Sequence, residues 1–148
     1  MKESFSSIYI IKKKNILHGG KRLNSKLSKP LLSIITVVLN GEEHLEKTIK
    51  SVLKQKKIFE YILIDGRSKD SSLKIIKKYS NKISYWLSEK DDGLYDAFNK
   101  GMKLAQGKYI GIINSDDVYT ANAFDIIHKY ITKNPKADFI FGSVKKHW

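Results

Sequence analysis

From Pro30 onward, short apolar runs rich in β-branched residues alternate with segments of helical period. This alternation restricts the chain more than any other feature. Leu31 to Leu39 is a nearly continuous apolar run, as expected of a strand buried on both faces. Asn40 follows, with Glu43 three residues later, a pattern like the capping box that opens a helix. Leu45, Ile49, Val52 and Leu53 then recur on one helical face. Ile58 to Ile64 reads as a second strand, broken by Asp65-Gly66. Ser68 or Asp70 is placed to cap a helix carrying Leu73, Ile76 and Tyr79. Ile83 to Leu87 reads as a short third strand. Tyr95, Phe98, Met102 and Ala105 mark a further helix, with Gly107 suited to its stop. Tyr109 to Ile113 reads as a strand. Phe124, Ile127, His128 and Ile131 mark a helix before Pro135, and Phe139 to Phe141 reads as the last strand. Strand–helix alternation of this kind predicts an α/β fold, with a mostly parallel sheet and helices on both faces. Ligands of such sheets bind at the carboxyl ends of the strands. Asn40, Asp65 and the run Asn114 to Asp117 all fall there.

The 148 residues suit one domain with a real core. The chain contains no cysteine, which excludes a disulfide scaffold, thiolate metal sites and a cysteine nucleophile. It fits a reducing compartment. No apolar run approaches the roughly 20 residues of a membrane-spanning helix. A formal net charge of +13 favours anionic partners: nucleic acid, acidic lipid or phosphorylated small molecules. Much of that charge lies in residues 1–29, which hold eight Lys and Arg against Glu3 alone. Residues 1–29 therefore read as a basic N-terminal extension, and residues 30–148 as the folded part. The extension reads as solvated or partly helical, or as a patch for anionic lipid headgroups.

Asn114-Ser115-Asp116-Asp117 directly follows a strand. Adjacent carboxylates there suit a hard divalent cation held through oxygen. Helix capping by Ser115 or Asp116 is the plainer alternative. Asp65 can accept hydrogen bonds from a base N–H or a ribose hydroxyl, or simply form an Asp-Gly turn. Glu89, Asp91, Asp92 and Asp96 concentrate acid before a helix, which also suits the helix dipole. The four histidines show no metal-ligand spacing. Neither a dinucleotide fingerprint nor a P-loop occurs.

In order, four motifs resemble the N-terminal half of family 2 glycosyltransferases with the GT-A fold. These are Ser33–Asn40, the turn Ile64-Asp65-Gly66-Arg67-Ser68-Lys69-Asp70, the segment Ser88–Gly101 and the run Gly107–Asp117. Ser88–Gly101 is similar to a signature of the colanic-acid and capsule-type branch. The resemblance implies a Rossmann-like nucleotide-diphospho-sugar transferase fold. It implies that Thr36 to Leu39, Val37 among them, line the nucleotide base, that Asn40 is a substrate-binding residue and that Asp65 meets the base or ribose. Asp92, Asp96, Asn99 and Lys100 would face the donor's phosphates and sugar. Asn114, Ser115 and Asp116 would stand at the diphosphate. Asp116 and Asp117 would hold Mg²⁺ or Mn²⁺, since Asn114 replaces the first Asp of the usual Asp-x-Asp. The reaction implied is sugar transfer to an acceptor hydroxyl with inversion, in bacterial surface polysaccharide biosynthesis. UDP-sugar is the default donor, and a saccharide or lipid-linked precursor the acceptor. The implied location is cytoplasmic, peripheral at the inner face of the membrane. In this family the general base lies well beyond the metal motif, whereas 31 of the 148 residues follow Asp117. The expectation is an incomplete C-terminal half, with the base beyond it. A nucleotide-sugar-binding remnant without turnover is the alternative. A basic nucleic-acid-binding domain is the lesser one, since no such motif appears and nucleic acid is not the expected partner.

Overall fold

The computed structural model describes residues 16–23, 30–56 and 59–142. Five strands form one sheet in the order β1-β4-β3-β2-β5. They are β1 (Leu17–Gly19), β2 (Leu32–Val38), β3 (Glu60–Asp65), β4 (Tyr85–Ser88) and β5 (Tyr109–Asn114). Strands β2 to β5 pair in parallel, and β1 runs antiparallel along β4. The helices are α1 (Leu45–Leu53), α2 (Ser72–Lys78), α3 (Leu94–Leu104) and α4 (Ala123–Lys133). The architecture is thus α/β, a mostly parallel sheet flanked by helices. Among the described residues no helix is long and apolar enough to cross a membrane.

Side chains alternate across the strands, so each strand feeds two layers. Ile34, Val38, Leu63 and Ile113 pack with Leu45, Ile49 and Val52 of α1, Ile76 of α2 and Phe124 of α4. On the other face Ile35, Val37, Ile62 and Ile64 meet Ala97 of α3. β2 and β3 are buried along their whole length, as the continuous apolar runs required.

Several elements differ from the sequence expectation. Asn40 and Glu43 do not cap α1, whose N-cap is His44 without a side-chain bond. The Asn40 side chain is occupied across the loop instead, as described below. In α3 the buried residues are Ala97 and Gly101. Tyr95 and Met102 are exposed. Small residues win that stripe because α3 lies close: a Cβ at Gly101 would sit 2.6 Å from Ile35 Cγ2. Gly107 is not the stop of α3, which is capped at Ala105. A Cβ at Gly107 would meet the Ser33 backbone N at 2.6 Å, so close approach is what demands glycine there. Phe139 to Phe141 forms no strand, and Phe139 and Phe141 are 79% and 90% exposed. An apolar tripeptide needs a neighbouring edge to become a strand, and these residues have none among the described ones.

Part of the segment read as an extension joins the sheet. Leu17–Gly19 pair with β4, and a 3₁₀ turn at Lys21–Leu23 follows. Arg22 Nη1 donates to Glu60 Oε1 at 2.6 Å and to the Leu104 carbonyl at 2.8 Å. The other Glu60 oxygen accepts from Ser33 Oγ at 2.6 Å and from the Gln106 N–H at 2.8 Å. This buried network closes the end of the sheet opposite the strand C-termini.

Candidate functional site

Because β2, β3, β4 and β5 are parallel, their C-terminal residues share one sheet edge. Val38, Asp65 and Ser88 lie in register, and Asn114 pairs with Val37. From β4 to β5 the edge spans three inter-strand gaps, about 14 Å at the usual spacing.

At its centre two loops are zipped together. The Asn40 N–H donates to Ser68 Oγ at 2.8 Å, and Asn40 Oδ1 accepts from the Lys69 N–H at 2.8 Å. The Gly41 N–H donates to Ser72 Oγ, and the Glu42 N–H to Asp70 Oδ2. Glu42 Oε2 accepts from the Ser71 N–H in return. Burial alone would raise the Asp70 pKa, but hydrogen bonds from Glu42 and Ser72 outweigh it and leave the pKa below its ordinary value. Asn40 (φ 53°) and Arg67 (φ 66°) both take left-handed backbone at this junction. Asparagine tolerates that geometry far better than arginine does.

Asp65 has no exposed surface. Its Oδ1 accepts from Ser68 Oγ at 2.5 Å, and its Oδ2 accepts from Ser88 Oγ at 2.6 Å. The carboxylate therefore holds the β3 turn together and offers no free oxygen to a base or ribose. Thr36 and Val37, expected to line a base, are likewise inside the sheet. Thr36 Oγ1 accepts from the Tyr61 hydroxyl at 3.1 Å. Of the first motif, Leu39 (65% exposed) and Asn40 reach the surface.

The β4–α3 loop supplies one wall. Asp91 lies against the β3 turn: a Cβ at Gly66 would fall 2.8 Å from Asp91 Oδ2 and 3.4 Å from Leu39 Cδ1. Lys100, expected at the donor's phosphates, is turned into this loop. Its Nζ pairs with Asp91 Oδ1, with Asp96 Oδ2 at 2.8 Å and with Glu89 Oε1 at 3.2 Å. It also donates to the Lys90 carbonyl at 2.9 Å. Burial works to lower the Lys100 pKa, but the three carboxylates prevail and raise it. Burial raises the Asp91 pKa against the pull of Lys100. The bond from Lys100, then the Asp92 N–H, lowers that of Asp96. Asp92 and Asn99 are exposed.

The other end of the edge is the turn after β5. Thr48 of α1 brings its Oγ1 to 2.8 Å from the Ser115 carbonyl and 2.7 Å from that of Asp117. A Cβ at Gly41 would lie 3.4 Å from Ser115 Oγ, so this turn adjoins the zipped loops. Asn114 Nδ2 donates to Asp117 Oδ2 at 3.2 Å. Asp116 and Asp117 are both exposed. Neither Ser115 nor Asp116 caps a helix, since α4 begins after Asn122. Among the described residues no group of three or more His, Cys, Asp or Glu side chains is placed to hold a metal ion.

The structure thus brings Leu39, Asn40, Asp92, Asp96 and the Asn114–Asp117 turn to one edge, with Asn99 exposed on α3. Thr36, Val37 and Asp65 lie beneath it. Asp91 and Glu89 emerge as partners of Lys100, and the i, i+4 spacing of Asp96 and Lys100 was a legible hint of that pairing.

The sequence matches the model of glycosyl transferase family 2 over residues 33–147. The chain belongs to this family. A PGL/p-HBAD biosynthesis glycosyltransferase of Mycobacterium bovis is 30% identical over 123 residues, 80% of this chain and 48% of that protein. An uncharacterized glycosyltransferase of Mycobacterium tuberculosis is 36% identical over 95 residues, 63% of this chain and 36% of that protein. The chain spans about a third to a half of the length of such curated relatives. Among solved structures, S. aureus TarS 1–349 in complex with UDP-GlcNAc superposes with a TM-score of 0.64 at 24% identity, over 70% of this chain and 32% of that one. The mannosyltransferase PcManGT from Pyrobaculum calidifontis, in complex with GDP-Man and Mn²⁺, gives 0.64 at 16% identity, over 70% of this chain and 33% of that one. At these identities the two likenesses speak to the fold, which is GT-A-like.

Proposed function

We propose that this family 2 chain binds a nucleotide-diphospho-sugar along the strand-end edge and serves sugar transfer to an acceptor hydroxyl with inversion. The observation that carries the reading is the convergence of the β2, β3, β4–α3 and β5 loops on one edge, in a chain of this family. Residues 30–148, joined at the sheet edge by β1, supply the donor side of a GT-A domain, and Lys2, Lys12, Lys13 and Lys14 before β1 meet acidic headgroups at the inner face of the membrane. Leu39 offers an apolar surface for the base. Asp92, Asp96 and Asn99 line the sugar side, and Asn114, Ser115 and Asp116 stand at the diphosphate. UDP is the favoured nucleotide, consistent with the UDP-GlcNAc that TarS holds. The Ser88–Gly101 signature favours a colanic-acid or capsule-type product, built on a saccharide or lipid-linked acceptor. No described residue is assigned as the acceptor's base.

The residues after β5 fit a divalent metal. Asp116 and Asp117 are exposed hard oxygen donors, and Mg²⁺ commonly takes one or two carboxylates plus substrate phosphates. Bound there, Mg²⁺ or Mn²⁺ would neutralise charge on the departing diphosphate. Thr48 keeps the turn's backbone fixed, and Asn114 orients Asp117.

A thermal-shift titration with UDP, GDP and dTDP, each with and without Mn²⁺, tests this reading. Ligand at roughly 100 times its dissociation constant stabilises by about 2.7 kcal/mol. The expected result is a Mn²⁺-dependent upward shift with one nucleotide, lost in Asp117→Ala. A cooperative melt that no nucleotide moves would overturn it.

A further inference from the structure

We infer that Lys100 is a positioning residue for donor binding: it holds the β4–α3 loop against the end of β3 and makes no contact with phosphate. The inference rests on the donor-binding reading above and replaces the role that the family resemblance gave this lysine.

The geometry is specific. An ammonium has three N–H donors. Here four oxygens surround it, from Glu89, Asp91, Asp96 and the Lys90 carbonyl. No donor is left for a diphosphate. The side chain is 20% exposed, and its partner Asp91 is 9% exposed. Two of the tethers act on the loop's two ends. Asp91 is pressed on Gly66 beside Leu39. Asp96, in the first turn of α3, accepts a hydrogen bond from the Lys100 ammonium and another from the Asp92 N–H at 3.1 Å. Lys100 thereby closes residues 89–96 into one compact wall of the edge. Removing the cation would leave three carboxylates facing one another. Like charges at such separation repel, and either the loop opens or the acids take up protons.

The charged groups around this point are few. The loop contributes Glu89, Lys90, Asp91 and Asp92, and α3 contributes Asp96 and Lys103, the latter acting on Asp96. From β3 the neighbouring turn presents Gly66, with Asp65 already committed to Ser68 and Ser88.

The test measures dissociation constants for UDP and for uridine, with Mn²⁺, on the full chain and its variants. Titrations run from neutral pH down to about pH 5, toward the carboxylate range. Lys100→Met is expected to weaken UDP and uridine together, by about tenfold each at neutral pH, one decade of affinity being the unit of such a loss. Both affinities should recover as pH falls and the carboxylates gain protons. Lys100→Arg should keep most of the affinity. Lys100→Met combined with Glu89→Gln should restore part of it, and this double variant also serves if the single one melts without cooperativity. Loss of UDP affinity with uridine unchanged would show a direct phosphate contact and overturn the inference. Equal loss at every pH, or affinity unchanged in Lys100→Met, would overturn it as well. A wild-type chain that binds no nucleotide would overturn the donor-binding reading itself, and the inference with it.

Discussion

Asp65 shows how a single side chain is decided by its neighbours. Its two oxygens accept hydroxyls from Ser68 and Ser88, and it is fully buried. Asp65→Ala is expected to cost about 1–3 kcal/mol, because two hydroxyls would lose their acceptor inside the protein. Urea denaturation measures the loss. A variant of unchanged stability whose nucleotide affinity collapsed would return Asp65 to the ligand. The Asp-Gly pair was readable as a turn, but the serine that caps Oδ2 comes from β4, 23 residues away. Arg67 is the odd residue beside it, since left-handed backbone costs a non-glycine residue about 1–2 kcal/mol. Leu39, Gly66 and Asp91 form the surface it adjoins through the chain.

Helices α1 and α2 are joined by Glu46. Its Oε1 accepts from Lys78 Nζ at 2.8 Å and Tyr79 Oη at 2.6 Å, and Lys50 lies 3.4 Å away. The Lys78 bond, then the Tyr79 bond, lowers the Glu46 pKa from 4.5 to about 2. A depressed carboxylate pKa contributes stability above its unfolded value and loses it as pH falls through the folded one. Stability should therefore decline between about pH 4.5 and about 2. Glu46→Gln should flatten that limb in acid-denaturation curves, and an unchanged limb would refute the coupling. The helix faces themselves were largely legible. Leu45, Ile49 and Val52 are buried as their spacing predicted, and truncating one of them would cost about 2–5 kcal/mol. The α3 stripe was not legible, because Ala97 and Gly101 carry little hydrophobic signal and matter only through their closeness to the sheet.

Across the whole molecule, the Arg22–Glu60 pair ties the N-terminal strand to the sheet. Glu60 is 1% exposed and Arg22 16%. Arg22→Met would leave a buried carboxylate without its cation, at an expected cost of about 3–5 kcal/mol. Adding Glu60→Gln should recover part of the lost denaturation midpoint, and no recovery would show that Arg22 acts through packing on Tyr85 instead. From the sequence alone came the α/β class, a mostly parallel sheet, the approximate places of β2, β3, β4 and β5, and the strand ends at which Asn40, Asp65 and Asn114 fall. Apolar period and β-branched runs carry that information locally, because burial on one face or two is written residue by residue. Tertiary structure decided the rest. It recruited Leu17–Gly19 to the edge of β4, left Phe139 and Phe141 without a partner strand, buried Asp65 and turned Lys100 toward three acids. The reason is physical: a charged or polar side chain does not declare its partner in sequence. Its role is set by which oxygen or nitrogen the folded chain brings within about 3 Å.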